Sequence, residues 1–214
     1  MKYKLIIFDM DGTILNTLPD LSASLNHALK KNGLPERSLS EVRSFVGNGI
    51  RKLIERGVPE GTNKELTDKV YSDFSEHYEQ NCANATAPYD GITEVITEIR
   101  NRGMKTAVVS NKIDSAVKQL AEEYFGSLFD MCVGESDKIK KKPAPDEVEA
   151  VLRELNIKKE EALFVGDSEV DIETSKNAGL PIISVTWGFK DREFLLSNGA
   201  KTLIDKPQEL LKEI

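Results

Sequence analysis

The sequence predicts an α/β protein, a doubly wound parallel β-sheet interrupted by one inserted α-helical cap domain. In residues 84–214, short apolar runs alternate with amphipathic segments, which is typical of strands and helices that follow one another in a parallel sheet. Residues 16–83 show helical periodicity and no convincing strand. We therefore expect a core built from residues 1–15 and 84–214, with residues 16–83 as the cap.

The first strand is predicted at Leu5–Phe8, a continuous apolar run typical of a strand buried on both faces. Further strand-like runs lie at 106–110, 128–133, 162–166, 182–185 and 202–204. Amphipathic segments lie between and after them, near 114–124, 145–155, 171–178, 190–198 and 207–213. Helices on both faces of a parallel sheet account for this order of segments.

The cap is predicted from apolar residues at helical spacing, which begin with Leu18, Leu21, Leu25, Ala28 and Leu29. Asn16 and Thr17 are expected to start the first cap helix as capping residues. Gly47 and Gly49 either present main-chain amides to an anion or only interrupt the helices. Because the insert leaves the sheet just after the first strand, we expect it to act as a lid over a ligand.

Composition excludes several classes of function. The net charge of −7 argues against non-specific binding to nucleic acid, and no apolar run reaches the roughly 20 residues of a membrane span. A strand starts almost at the N-terminus, which leaves no room for a signal peptide. Cys82 and Cys132 show no metal-type spacing, so we expect free thiols and a cytoplasmic monomer or homodimer.

Four polar segments end or follow predicted strands, and they carry the candidate chemistry. They are Asp9-Met-Asp11-Gly-Thr13, Ser110-Asn111, Lys142-Pro143 and Gly166-Asp167-Ser168-x-x-Asp171. Taken singly, each has a plainer interpretation as a turn, a helix cap or a solvated charge. Taken together, they meet at one edge of a parallel sheet, where ligands bind.

The charges at that edge do not balance. Four carboxylates face one ammonium, that of Lys142, and the carboxylates are those of Asp9, Asp11, Asp167 and Asp171. This surplus favours a hard divalent cation held through oxygen, and Mg²⁺ fits best. The four segments contain no histidine or cysteine, which argues against zinc. A cation, a lysine and a serine hydroxyl at one point favour a phosphate group, and an aspartate can attack its phosphorus to form an aspartyl-phosphate.

The four segments, in this order, resemble the four motifs of the haloacid dehalogenase superfamily. The resemblance spans nearly the whole chain and implies a doubly wound core with a helical cap inserted after the first motif. It implies that Asp9 is the nucleophile and a Mg²⁺ ligand. It also implies that Asp11 is the general acid and base and binds Mg²⁺ through its main-chain carbonyl. Dehalogenases of the family lack an acid at the position of Asp11, so its presence favours phosphate transfer.

The resemblance implies roles for the later motifs as well. Ser110 and Asn111 would hold the phosphoryl oxygens, and Lys142 would bind phosphate and stabilise charge on the nucleophile. Asp167 would ligate Mg²⁺, and Asp171 would orient the ligands or waters around it. The expected protein is a Mg²⁺-dependent phosphatase acting on a small phosphorylated metabolite.

Two further stretches resemble those of phosphoglycolate phosphatases, namely residues 45–57 and the segment Thr186-Trp187-Gly-Phe. Sugar-phosphate phosphatases, a pyrophosphatase branch and β-phosphoglucomutases share this type of cap, so these activities stay open as alternatives. Mutases usually carry another residue at the position of Thr13, which favours hydrolysis. His27 and Trp187 are expected to be packing or surface residues rather than ligand contacts.

Overall fold

The computed structural model describes residues 2–137 and 139–214. Their contacts divide the chain into two compact units. The core unit comprises the residues up to Leu15 and the segment Pro88–Ile214, and the helical unit comprises Asn16–Ala87. Each unit is described by itself below.

In chain order, the strands are β1 (Leu5–Phe8), β2 (Leu15–Asn16), β3 (Ala87–Pro88), β4 (Lys105–Ile113), β5 (Met131–Glu135), β6 (Ala162–Gly166), β7 (Ile182–Val185) and β8 (Leu203–Ile204). The helices are α1 (Leu18–Lys31), α2 (Leu39–Phe45), α3 (Ile50–Gly57), α4 (Lys64–Asn81), α5 (Ile92–Asn101), α6 (Asp114–Phe125), α7 (Asp146–Leu155), α8 (Glu169–Ala178), α9 (Arg192–Ser197) and α10 (Leu210–Glu213). Single 3₁₀ turns precede β5, β6 and α10.

The core unit contains a six-stranded parallel sheet in the order β5-β4-β1-β6-β7-β8. The predicted α/β class with a parallel sheet is therefore confirmed. Strand β1 lies in the middle, with β4 on one side and β6 on the other, and all four of its residues are buried. On one face of the sheet, Ile7 and Phe164 pack with Val148 and Val151 of α7. The ring of Phe8 instead meets Phe129 in an edge-to-face contact, with centroids 6.2 Å apart.

One predicted strand is wrong at its start. The apolar run at 128–133 predicts a strand from Leu128, but Leu128 ends a 3₁₀ turn and β5 begins at Met131. Asp130 explains the delay, because its carboxylate accepts a hydrogen bond from the Thr106 N–H at 2.9 Å. A side chain that bonds to the neighbouring backbone competes with strand pairing at that position.

The helical unit contains α1 to α4. The predicted apolar stripe of α1 is confirmed, since Leu21, Leu25 and Leu29 are all buried. Helix α2 was not predicted, although Ser38 and Glu41 form a capping box whose pattern is legible in the sequence. That helix is short and carries a single buried residue, so its periodic signal is weak.

The start of α1 corrects one expectation. Thr17 occupies the N-cap position, but its side chain makes no capping hydrogen bond, and a proline stands in the first turn of the helix. Proline lacks the N–H that a cap would otherwise satisfy and presets the helical φ. The hydroxyl of Thr17 is buried, with no hydrogen-bond partner among the described residues. Asn16 ends β2 and is exposed.

The helical unit extends four residues further along the chain than the predicted boundary at residue 83. Asp20 of α1 explains the difference. Its carboxylate accepts hydrogen bonds from the N–H groups of Ala85 and Thr86 and from the Thr86 hydroxyl, at 2.8–3.0 Å. These contacts attach the returning chain to α1.

Within the described residues, no helix has both the length and the apolar character that a membrane crossing requires. In the part of the chain that the structure describes, neither Cys82 nor Cys132 is in a disulfide bond, as predicted. Burial raises the pKa of the Cys132 thiol to about 11, which disfavours its thiolate form at neutral pH.

Candidate active site

Strand register brings the predicted segments to one edge of the core sheet. Phe8 of β1 lies opposite Val108 of β4 and Val165 of β6. Asp9 follows Phe8 directly, and its N–H donates to the Val165 carbonyl at 2.9 Å. Because the three strands are parallel, the residues just beyond them converge at their carboxyl ends.

Three buried carboxylates form the centre of this edge. Asp9, Asp167 and Asp171 each offer an oxygen within 4.8 Å of the others. Burial raises the pKa of Asp9 to about 7, and repulsion from Asp171 adds to it, while Lys142 acts in the opposite direction. Burial and repulsion from Asp171 and Asp9 likewise hold the pKa of Asp167 well above its usual value. Without further positive charge, the cluster disfavours full ionisation.

Lys142 supplies the positive charge at this cluster. Its Nζ lies 2.8 Å from Oδ1 of Asp9 and 2.7 Å from Oδ1 of Asp171, and its side chain is only 2% exposed. Burial by itself lowers the pKa of this ammonium, but attraction to Asp171 and Asp9 outweighs the burial and holds the pKa above its usual value. Lys142 is therefore charged at neutral pH and binds both carboxylates.

Asp171 has both carboxylate oxygens engaged. Oδ1 bonds to Lys142, and Oδ2 accepts from the Ser168 N–H at 3.1 Å and from its hydroxyl at 2.7 Å. Ser168 is the N-cap of α8, so Asp171 completes a capping box. The plainer interpretation of Asp171 as a capping residue is thus correct, and the same side chain also positions Lys142.

Ser110 and Asn111 lie near the end of β4 and are both buried. The Ser110 hydroxyl oxygen accepts from the Lys112 N–H at 3.3 Å, and the Asn111 side-chain amide donates to the Lys142 carbonyl at 3.1 Å. They do not cap α6, because the N-cap there is Ile113 and no side chain caps it. Asn111 therefore helps to hold the segment that carries Lys142.

Asp11 pairs with a lysine that the sequence analysis did not select. The Nζ of Lys112 lies 2.9 Å from Oδ1 of Asp11, and the Lys112 side chain is 2% exposed. The charge balance at this edge therefore includes two lysines rather than one. Lys112 directly follows Ser110-Asn111 in the sequence, and this position is the signal that could have identified it.

The turn that follows β1, at residues 9–13 and called the first turn below, packs directly against Asp167. Thr13 Oγ1 donates to Oδ1 of Asp167 at 3.3 Å. Gly12 has a φ of +86°, and a Cβ at this position would collide with the Asp167 carboxylate. Glycine is therefore required here both for its backbone conformation and for the close approach.

The loop after β7 completes the surroundings of Asp167. The Phe189 N–H donates to Oδ2 of Asp167 at 2.7 Å, and a Cβ on Gly188 would lie 2.5 Å from the Gly12 carbonyl oxygen. Trp187 Nε1 donates to the Thr13 carbonyl at 3.0 Å. Trp187 thus fastens the first turn, in agreement with its expected packing role.

The remaining candidates lie in the helical unit. Gly49 has a φ of +85° and occupies the N-cap of α3, and Gly47 has a φ of +120° in the loop that precedes it. This placement fits both interpretations of the two glycines, since the start of a helix is also where main-chain amides face an anion. His27 stacks on His77 with centroids 4.1 Å apart, and the Ser24 hydroxyl lies 3.0 Å from His77 Nδ1.

The fold and the site together define an α/β protein of the doubly wound class, with an acidic, lysine-containing site at the carboxyl edge of its sheet. The sequence model of the haloacid dehalogenase-like hydrolase family matches residues 6–185 of this chain. The chain belongs to the haloacid dehalogenase-like hydrolase family, as the four motifs indicated. Members of this family generally use a divalent metal ion, and the buried acidic cluster is a group of side chains that could hold one.

Several relatives share one activity by name. A phosphoglycolate phosphatase of Aquifex aeolicus is 32% identical over 210 residues, which cover 98% of this chain and 95% of the relative. A phosphoglycolate phosphatase of Mesorhizobium japonicum is 33% identical and covers 90% of this chain and 86% of its own. A crystal structure from Lactobacillus delbrueckii subsp. bulgaricus, provisionally named a phosphoglycolate phosphatase, is 33% identical with a TM-score of 0.95, covering 100% of this chain and 99% of the other.

Proposed function

We propose that this protein is a Mg²⁺-dependent cytoplasmic phosphatase of a small phosphorylated metabolite, with 2-phosphoglycolate as the first candidate substrate. The observation that carries the proposal is the cluster of Asp9, Asp167 and Asp171 around the ammonium of Lys142. The names of the relatives support the substrate. Two cysteines that form no disulfide bond within the described residues support the compartment.

The donor set suits Mg²⁺. Every candidate ligand is an oxygen, and burial together with repulsion between the carboxylates raises the pKa values of Asp9 and Asp167, which a bound cation would oppose. We propose that these two carboxylates and the main-chain carbonyl of Asp11 hold the ion, while Asp171 orients the groups around it. When bound, Mg²⁺ neutralises charge on the phosphoryl group and on the carboxylates.

Asp9 and Asp11 have different tasks in this proposal. Asp9 attacks phosphorus, so a bond forms between its carboxylate oxygen and phosphorus while the bond to the leaving oxygen breaks. Asp11 donates a proton to that leaving oxygen and then takes one from the water that hydrolyses the aspartyl-phosphate. Lys142 stabilises the negative charge on Asp9 and on the transferring group.

Ser110 and Asn111 are proposed to hold the phosphoryl oxygens. A serine hydroxyl that accepts one hydrogen bond can still donate its own hydrogen, and a side-chain amide has two hydrogens to donate. The structure uses one amide hydrogen of Asn111 on the Lys142 carbonyl. We assign the phosphoryl contacts to Ser110 and Asn111 because both are buried polar residues near the carboxyl end of β4.

A panel of phosphorylated metabolites tests the proposal, with phosphate release measured in Mg²⁺ and in EDTA. We expect release from 2-phosphoglycolate in Mg²⁺, none in EDTA, and none from Asp9→Asn in either condition. Full activity in EDTA, or equal activity of Asp9→Asn, would contradict the mechanism. Faster release from pyrophosphate would favour the pyrophosphatase alternative, and conversion of glucose 1-phosphate to glucose 6-phosphate without phosphate release would favour the mutase.

The proton-transfer role of Asp11 has its own test. We expect Asp11→Asn to lower kcat for 2-phosphoglycolate by about 100-fold or more, because an amide cannot deliver or accept the proton. Its Mg²⁺ binding should match the wild type, since the main-chain carbonyl remains, whereas its thermal unfolding midpoint should fall because the buried Lys112 ammonium loses the carboxylate of Asp11. An Asp11→Asn variant with wild-type turnover would remove Asp11 from the reaction.

A further inference from the structure

Lys112 is a buried lysine at the candidate site whose role none of the motif comparisons assigns. It lies near the end of β4, where the register with β5 shifts between Val109 and Ile113. Such irregularities re-aim side chains at the end of a strand. Here the side chain of Lys112 is 2% exposed, and its Nζ reaches Oδ1 of Asp11 at 2.9 Å.

The two lysines of the site bind different aspartates. Lys142 binds Asp9 and Asp171, whereas Lys112 binds Asp11. Burial of an ammonium is unfavourable unless a carboxylate compensates it. The Asp11 carboxylate therefore stabilises the buried Lys112 ammonium. The Asp11 side chain keeps 22% of its surface exposed, which leaves it accessible to a substrate.

We propose that Lys112 is a positioning residue for Asp11. By holding Oδ1, it fixes the orientation of the carboxyl group and leaves Oδ2 to transfer the proton. Without this contact, the Asp11 side chain can populate other rotamers. A general acid works only within hydrogen-bond reach of the leaving oxygen, so a loss of orientation costs turnover. This inference rests on the proposed phosphatase function and assigns one residue within it.

The test compares two leaving groups in the holoenzyme with Mg²⁺. Glycolate leaves as an alkoxide that needs a proton, whereas p-nitrophenol leaves as a stable phenolate that does not. With enzyme in excess over substrate, we expect Lys112→Met to slow glycolate release from 2-phosphoglycolate by about 30-fold and p-nitrophenol release by less than about threefold. Lys118→Met removes an exposed lysine of α6 and is expected to change neither rate.

A double-mutant cycle separates positioning from direct contact with the substrate. If Lys112 acts through Asp11, adding Lys112→Met to Asp11→Asn should lower the rate by no more than about twofold. Lys112→Gln keeps a hydrogen-bond donor, although a shorter one, and should lose less activity than Lys112→Met. It also provides a second measurement if the methionine variant is unstable.

Three results would overturn the inference: an unchanged Lys112→Met variant, equal losses for both leaving groups, or multiplicative losses in the cycle. A wild-type enzyme that releases no phosphate from any substrate would instead contradict the proposed function. The two failures are therefore distinguishable.

Discussion

Replacing Glu147 by methionine is expected to stabilise the protein, and to do so increasingly as the pH rises. Glu147 lies in the first turn of α7 and is fully buried. Neither of its carboxylate oxygens makes a well-formed hydrogen bond in the described part of the chain, and the Lys142 N–H gives only a partial compensation. Burial raises the pKa of Glu147 from 4.5 to about 7, although attraction to Lys142 offsets part of the effect. Methionine has a similar volume and carries no charge to bury.

The magnitude follows from the raised pKa. A carboxyl group whose folded pKa exceeds its unfolded value binds its proton more tightly in the native state, so ionisation destabilises the fold. The penalty is absent below pH 4.5, grows up to about pH 7 and is then constant. The shift corresponds to about 3 kcal/mol at 1.36 kcal/mol per pH unit. An acid in the first turn gains about 0.3–1 kcal/mol from the helix dipole, which leaves a net gain of about 2–3 kcal/mol at pH 8.

Urea unfolding at pH 5 and pH 8 measures this effect through the fluorescence of Trp187, the single tryptophan of the chain, which lies in the core unit. Glu149→Met is the matched control on the same helix, because Glu149 is exposed and pairs with Lys159 at 3.0 Å. We expect the control to change stability by less than about 1 kcal/mol at either pH. A Glu147→Met variant that is less stable than wild type at pH 8, or equally shifted at both pH values, would refute the reasoning.

Three further perturbations follow from the geometry. In EDTA, Lys142→Met should lower the free energy of unfolding by about 3–5 kcal/mol, because it leaves buried carboxylates without an ion-pair partner. The control Lys141→Met removes a half-exposed lysine that pairs with Glu135 and should cost less than about 1 kcal/mol. Equal losses in urea titrations would contradict this. Gly188→Ala should lower the thermal midpoint, since its Cβ would lie 2.5 Å from a backbone oxygen of the first turn, and an unchanged calorimetric midpoint would show that the loop adapts. Burial and the neighbouring His27 lower the pKa of His77 below 6.5, which an NMR titration should show, and His27→Asn should raise that pKa. The free energy of unfolding should fall as the pH drops through 6.5, because the unfolded chain binds the proton of His77 more tightly than the folded protein does.

Local pattern was sufficient for much of the fold. The apolar run Leu5–Phe8 predicted the central strand, and the runs at 162–166 and 182–185 matched β6 and β7. A strand buried on both faces needs apolar residues at every position, so its signal is continuous and local. The start of β5 was misplaced because Asp130 bonds to the backbone of Thr106, a partner 24 residues away that no local pattern reveals.

The sequence by itself determined which chemical groups this protein brings to the edge of its sheet. Asp9, Lys142 and Asp167 each follow or stand near a strand end, and parallel strands place such residues together. The tertiary structure alone decided how the charges pair. Lys112 and Asp11 are 101 residues apart, yet their charged atoms lie within 2.9 Å. Pair distances depend on register, strand irregularity and rotamer, which arise only when the sheet assembles, so the division of the aspartates between two lysines was not legible in the sequence.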